Sequence, residues 1–201
     1  MDASIILEHL YLVVMTVIFS VVVGLPIGVL AYLKPAGRKI VLWSVEILQT
    51  IPALALLGLI IIALGPGKMT VISGLVLYSL LPIVHNTCVG LENVDNGIKE
   101  AGKGMGLTQL DRLISVEIPL AFPMIFTGIR IATVTTVGVA VFATSVGGGG
   151  LGKIIYQGIR TQNINLIVSG TVSLMIMAVL FDVLMIWINR RLAKGAHNKA
   201  F

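Results

Sequence analysis

Two glycine patterns, three histidines and a single cysteine are the features of this 201-residue chain whose types and spacing could carry chemistry. Gly97-x4-Gly102-Lys103 has the opening of a phosphate-binding loop, where backbone N–H groups cradle phosphates and a hydroxyl holds magnesium. Gly104 stands where that Ser or Thr is required, and no strand-like run precedes it. Gly147-x-Gly149-x-x-Gly152 has dinucleotide spacing, but it follows a long apolar block, with no acid about 20 positions on in a βαβ unit. Neither reads as a nucleotide site, so ATP hydrolysis is not expected in this chain. His9, His85 and His197 lack metal-ligand spacing, and no serine or cysteine has a sequence-local partner for nucleophilic attack. Catalytic residues, metal ligands and bound cofactors are therefore not expected. His85 beside Asn86 reads as a packed, hydrogen-bonded histidine ahead of a proton relay. Three charges remain, Glu46, Arg130 and Asp182, each inside an apolar block where an ion is expensive and rarely faces lipid.

The elements that must position these residues are membrane helices. Hydrophobic residues make up 57% of the chain and charged ones 11%, against roughly 25% charged in a soluble domain. Mean hydropathy is +1.02. Crossing about 30 Å of hydrocarbon takes roughly 20 apolar residues in a helix, and five blocks qualify: 10–33, 41–64, 70–90, 120–146 and 164–188. They are continuously apolar, which excludes the alternation of a β-barrel. The lone Cys88 rules out an internal disulfide and reads as a small core residue. No removable signal peptide is expected at the N-terminus.

Charge orients the spans. The 14 Lys and Arg against 9 Asp and Glu flank apolar blocks, which reads as topology and not as affinity for nucleic acid. Lys34, Arg38 and Lys39 follow the first span. Lys99, Lys103 and Arg112 follow the third, and Arg190, Arg191, Lys194 and Lys199 the fifth. The opposite side has Lys68, Lys153 and Arg160, with Asp2 and Glu8 before the first span. The expected N-terminus is outside and the C-terminus cytoplasmic, with a cytoplasmic loop over 91–119. At 1.5 Å per residue, Glu46 lies roughly 10 Å beyond Lys39, Arg130 about 15 Å beyond Pro119, and Asp182 about 12 Å before Arg190. All three share the cytoplasmic half, so Arg130 is expected to meet Asp182 or Glu46, or a wet inward cavity. A structural ion pair and a pathway role both stay open. Pro26, Pro52 and Pro82 should kink the first three spans, Pro119 and Pro123 open the fourth, and Gly24 and Gly28 permit close helix approach. Gln49-Thr50-Ile51-Pro52 joins polar side chains to a kink, as packing or as pathway.

The loop carries the most specific pattern. Glu100-Ala101 is followed by Gly106, then nine residues, then Val116-x-Ile118-Pro119. This resembles the cytoplasmic Glu-Ala-Ala loop of ABC-importer permeases, with Gly102 where a second Ala is usual. Gln49-Thr50-Ile51-Pro52, Gly128-Ile129-Arg130 and Gly148-Gly149-Gly150-Leu151-Gly152 extend the resemblance over nearly the whole chain, toward the osmoprotectant branch for glycine betaine, carnitine or choline. It implies an all-α, five-span, type I importer-like transmembrane domain in a bacterial or archaeal cytoplasmic membrane. Implied partners are a second permease subunit in a homodimer, a pair of cytoplasmic ATP-binding subunits that hold ATP and Mg, and an extracytoplasmic substrate-binding protein. Glu100, Ala101, Gly102, Gly106, Asp111 and Pro119 are the implied ATPase-coupling positions, Glu100 and Gly106 bracketing a short helix that ends at a turn before Pro119. Glu46, Gln49, Thr50, Arg130 and Asp182 are the pathway candidates.

Substrate is less legible. Quaternary ammonium groups are held by aromatic cages, yet aromatics are 6% of the chain, and Trp43 and Trp187 read as interfacial anchors. Another small solute, an amino acid or a compound like ergothioneine, remains an alternative, as does an ion-coupled carrier. Such a carrier would be expected to show internal repeats and more spans, and neither is seen. The glycine run 147–152 reads as a flexible connector or as a surface for the binding protein.

Overall fold

The computed structural model describes the backbone of residues 3–197 and side chains as far as Leu192. Asp2 and Lys199 lie outside the described residues, as do the side chains of Lys194 and His197. Among the described residues helices joined by short turns make up the fold, with no strand. Four stretches are long and apolar enough to cross a membrane, Ala3–Leu33, Lys68–Glu92, Gln109–Val146 and Ile164–Leu192, and a bent pair makes up to five.

Helix α1 (Ala3–Leu33) buries His9, Leu12, Val13, Thr16, Ser20, Gly24, Gly28 and Ala31, a stripe at three- and four-residue spacing. The stripe narrows to small residues where α1 crosses α4 (Lys68–Glu92). A β-carbon on Gly28 would lie 2.6 Å from Cβ of Thr87, and one on Gly24 would lie 2.8 Å from Ile83. The Gly24/Gly28 spacing thus fixes how closely two membrane helices approach. Helix α4 is central, packed on α1, α2, α3 and α7.

The block expected as one span over 41–64 is two helices, α2 (Pro35–Thr50) and α3 (Ala53–Leu64), bent by 99°. Ile51 is extended, with φ −70 and ψ 124. Proline disfavours helical dihedrals in the preceding residue and has no N–H to continue the ladder, so the expected kink is a full break.

The connection between the third and fourth blocks also differs from expectation. Helix α5 (Asn96–Gly104) ends in a turn at Met105–Leu107, after which one helical rod runs from Gln109 to Val146. The rod comprises α6 (Gln109–Arg112), a π-helical turn over Leu113–Glu117, α7 (Ile118–Val139) and a 3-10 segment over Ala140–Val146. Glu100 and Gly106 therefore do not bracket a helix: Glu100 lies inside α5 and Gly106 just beyond it. Nor does the chain turn before Pro119. There the helix widens, with Ile118 N–H reaching the Leu113 carbonyl five residues back, next to a residue that has no N–H to give.

Gly128 marks the crossing of α7 over α4, since any β-carbon would strike the Pro82 carbonyl oxygen. Helix α8 (Gly152–Arg160) folds back on α9 (Ile164–His197), whose first turn is capped by Asn163 through Asn165 N–H (3.1 Å) and Leu166 N–H (3.3 Å). Helix α9 packs one face on α7 and α8 through Leu166, Leu174, Met177 and Phe181, and leaves Val172, Ile176, Val179, Leu180 and Val183 exposed, as suits a surface meeting lipid or another subunit.

Candidate functional site

The loop leaving α4 is built as a rigid, capped unit. Asp95 accepts from the N–H groups of Gly97 (2.7 Å) and Ile98 (3.2 Å), opening α5. At the other end Leu107 N–H bonds the Gly102 carbonyl (3.1 Å) and Gly106 N–H the Lys103 carbonyl (2.9 Å). That bond pair is the Schellman closure, which places a left-handed residue where Gly106 stands with φ +82. Nothing lies within 4 Å of a β-carbon built there, so conformation alone selects glycine. Thr108 then caps α6: its hydroxyl accepts from Asp111 N–H (3.2 Å) and bonds the Asp111 carboxylate. Within this chain Asp111 thus holds the cap through both its N–H and its carboxylate. Gly102 is buried, with Cγ and Cδ of Arg112 at 3.3 Å from where a β-carbon would sit. The departure from a second alanine thus leaves room for Arg112.

Arg112 and its partner join the loop to the membrane helices. Its Nε donates to Glu117 Oε1 at 2.5 Å, and the Tyr32 hydroxyl donates to Oε2 at 2.6 Å. Glu117 is 1% exposed and Arg112 11%. Lys99 Nζ donates to the Leu91 (3.0 Å) and Glu92 (3.2 Å) carbonyls and sits 5.3 Å over the Tyr32 ring. Arg38 pairs with Glu92. Six elements, α1, α2, α4, α5, α6 and the π turn, are tied at this end. Glu117 occupies the unspecified position of the Val-x-Ile-Pro motif, so the motif could not single it out. Large apolar side chains of the unit are exposed among its charged ones: Met105 is 74% exposed, Leu110 62% and Ile114 58%, while Ile98 lines a depression with Leu120 and Met124. Glu100, Ala101, Gly106, Asp111 and Pro119 are exposed too, and Gly102 is the one coupling position that is buried.

Within the membrane helices, Arg130 binds Asp182 by two parallel bonds, Nε to Oδ1 at 2.6 Å and a terminal nitrogen to Oδ2 at 2.8 Å. Glu46 is not part of that pair. It lines a cavity of about 400 Å³ with Gln49, Tyr78, His85, Asn86 and Thr135. Gln49 Nε2 donates to the Tyr78 carbonyl at 3.0 Å, fastening α2 to α4. Thr50 does not reach this wall; its hydroxyl bonds back to the Ile47 carbonyl at 2.7 Å. His85 makes no hydrogen bond among the described residues and faces the cavity, so the packed histidine expected there is not found; Asn86 bonds the Pro82 carbonyl instead.

The packed histidine is His9. Leu151 N–H donates to Nδ1 at 3.2 Å, so Nε2 carries the proton and donates to the Val137 carbonyl at 3.0 Å. Beside it Glu8 accepts from Gly150 N–H at 3.4 Å and pairs with Lys68 at 3.7 Å. The glycine run is closed on the chain itself: β-carbons on Gly149 and Gly150 would meet Glu8 at 2.5 Å and His9 at 2.9 Å. With Gly148 and Gly150 buried and Gly147 exposed, it is a packed turn and not a loose connector. No group of three or more potential metal ligands occurs among the described residues.

A multi-pass helical bundle with a capped knob between two membrane helices, and a polar wall inside, fits a membrane permease. The chain belongs to the family of binding-protein-dependent transport system inner membrane components, the permeases of ABC importers, the match spanning residues 10–197. It is 42% identical to a carnitine transport permease protein, OpuCD, of Listeria monocytogenes, over 92% of this chain and 83% of that one. Identity is 40% to the glycine betaine/carnitine/choline transport system permease protein OpuCB of Bacillus subtilis, over 87% and 81%. It is 39% to the osmoprotectant import permease protein OsmW of Salmonella typhimurium, over 94% and 89%. Among solved structures, an inward-facing MetNI methionine ABC transporter chain superposes with a TM-score of 0.83 at 28% identity, covering 92% of this chain and 93% of that one. The chain is thus an all-α type I importer transmembrane domain of the inner membrane, whose partners are ATP-binding subunits and a substrate-binding protein.

Proposed function

We propose that two copies of this chain form the translocation pathway of an ATP-driven importer for small quaternary-ammonium osmoprotectants. The α5–α6 knob docks on the ATP-binding subunits, which hold ATP and Mg. Glu100, Ala101, Gly106, Asp111 and Pro119 lie on or beside its exposed surface, and Gly102 seats it. The N-terminus is outside and the C-terminus cytoplasmic. The observation that carries the docking reading is that Met105, Leu110 and Ile114 are exposed on a fully capped loop. Apolar side chains held out by rigid backbone are what a protein interface uses. The solute follows the relatives' names, since carnitine, glycine betaine and choline share a trimethylammonium group.

Reconstitution tests the reading. Proteoliposomes holding this chain with its ATP-binding subunit should take up labelled glycine betaine or choline only with ATP inside and binding protein outside. Uptake without the ATP-binding subunit would reject it. For orientation, Arg160→Cys should label from outside and Leu110→Cys from inside, against low background because Cys88 is buried. The reverse pattern would invert the topology. Gly149 is unsuited to such a label, because Glu8 fills its space.

A further inference from the structure

We propose that Glu46, with Trp43 and Tyr78 on either side, forms a low-affinity site for a quaternary ammonium group within the pathway. The proposal rests on the solute reading above and adds to it the place in this chain where the cation is held. Charge accounting carries it. Arg130 holds Asp182, Arg112 holds Glu117, Arg38 holds Glu92 and Lys68 holds Glu8. Glu46 lies inside an apolar block and makes no ion pair or hydrogen bond among the described residues. A carboxylate in such a place faces a wet cavity and seeks a cation; Arg38 and Arg130 are already paired, and Lys39 lines an outer depression without bonding to it.

Glu46 is shared by two depressions. The inner one, of about 400 Å³, adds Tyr78, Gln49, His85, Asn86 and Thr135. The outer one, of about 440 Å³, adds Trp43, Arg38 and Lys39. Lys39, two helical turns earlier, lines that depression without pairing with Glu46. Trp43 is three residues from Glu46, on the same helix face, and 64% exposed. A quaternary ammonium has no N–H to donate, so a carboxylate for its charge and aromatic faces for its methyl groups are the partners it can use. The amide, imidazole and hydroxyl groups of the inner wall suit the carboxylate or hydroxyl at the solute's other end. Both depressions are open, which suits a solute that must leave again.

The test uses the permease with its ATP-binding subunit in nanodiscs, without binding protein, carrying Gln49→Cys as a reporter. Choline should slow maleimide labelling of the new thiol severalfold, and its neutral isostere 3,3-dimethylbutan-1-ol should not. Adding Glu46→Gln should abolish the protection. Equal protection by both compounds, protection that survives Glu46→Gln, or a thiol that never labels because a second copy covers it would each overturn the site. In proteoliposomes at saturating binding protein, Glu46→Gln should lower choline uptake roughly ten-fold, the scale of one charged contact, and Glu46→Asp should restore much of it. Wild-type uptake by Glu46→Gln would overturn the site as well. A wild-type complex that moves no quaternary ammonium would refute the solute reading, whereas choline protection in that same complex would still uphold the site.

Discussion

Gly106 and Gly150 hold nearly the same backbone, φ +82 and +85, at opposite ends of the helical rod from Gln109 to Val146. Their surroundings are opposite. Around Gly106 there is open space, with Met105 and Leu110 exposed on the same loop, and order supplied by caps and a buried ion pair. Around Gly150 the chain's own Glu8 and His9 fill the site, and Leu12, Val13, Val137 and Leu151 form a sealed core beneath. One end is held rigid while its outer face stays free for another protein. The other has spent its glycines on packing against itself. The same residue type therefore marks an open surface at one end, the one proposed to dock, and a lock at the other, and only packing distinguishes them.

The sharpest way to break this comparison is a pair of alanine substitutions. Gly152 has ordinary dihedrals, yet its β-carbon would fall on the Val141 carbonyl oxygen, a backbone atom that cannot rotate away. Gly152→Ala is expected to cost more than about 3 kcal/mol, at or beyond the upper range for overpacking, and to remove folded protein from detergent extracts. Gly106→Ala adds a methyl to open space and meets only the left-handed backbone, costing about 1 kcal/mol. Fluorescence-detected size exclusion and thermal melts of both variants read the difference. Similar losses in the two would show that the ends are not built differently.

The next largest effect is expected at the buried carboxylate of the loop end. Glu117→Ala leaves Arg112 charged and barely exposed and takes away the acceptor of the Tyr32 hydroxyl. Breaking such a pair costs about 3–5 kcal/mol, whereas Tyr32→Phe removes one hydrogen bond for about 1–3 kcal/mol. Denaturant melts in detergent measure both. ATP hydrolysed per solute moved should also rise in Tyr32→Phe, because Glu117 joins the docking loop to α1. An unchanged ratio would reduce the cluster to a stability element.

How much of this was legible in the sequence follows from the range of each interaction. Hydropathy marks the spans because every residue of a block contributes, and Glu100, Gly106 and Pro119 stand at motif spacing along one segment. The break at Ile51-Pro52 was half legible: proline forbids the local ladder, but the 99° bend depends on what α3 packs against. Long-range partners were out of reach. Tyr32 and Glu117 are 85 positions apart, and His9 and Val137 are 128 apart. A histidine's neighbours in sequence do not say whether it is sealed, as His9 is, or lines a cavity, as His85 does. Arg130 and Asp182 were reachable because depth in a membrane is itself a coordinate, and two charges at one depth have few other partners.

That pair gives the smallest effect and sharpens the comparison from the middle of the molecule. Arg130 and Asp182 are 40% and 33% exposed in the isolated chain, against 11% and 1% for Arg112 and Glu117. Water or a neighbouring subunit can reach Arg130 and Asp182, so breaking their bond should disturb the fold less than losing Glu117. Arg130→Ala leaves Asp182 without its two donors, and Asp182→Asn leaves the guanidinium a neutral amide that still accepts one hydrogen bond. Uptake in proteoliposomes should therefore fall further in Arg130→Ala, on the order of five-fold, than in Asp182→Asn. A loss in Arg130→Ala as large as that in Glu117→Ala would show that the pair is sealed in the assembled transporter. Indistinguishable uptake in Arg130→Ala, Asp182→Asn and wild type would show that the bidentate bond contributes nothing to transport.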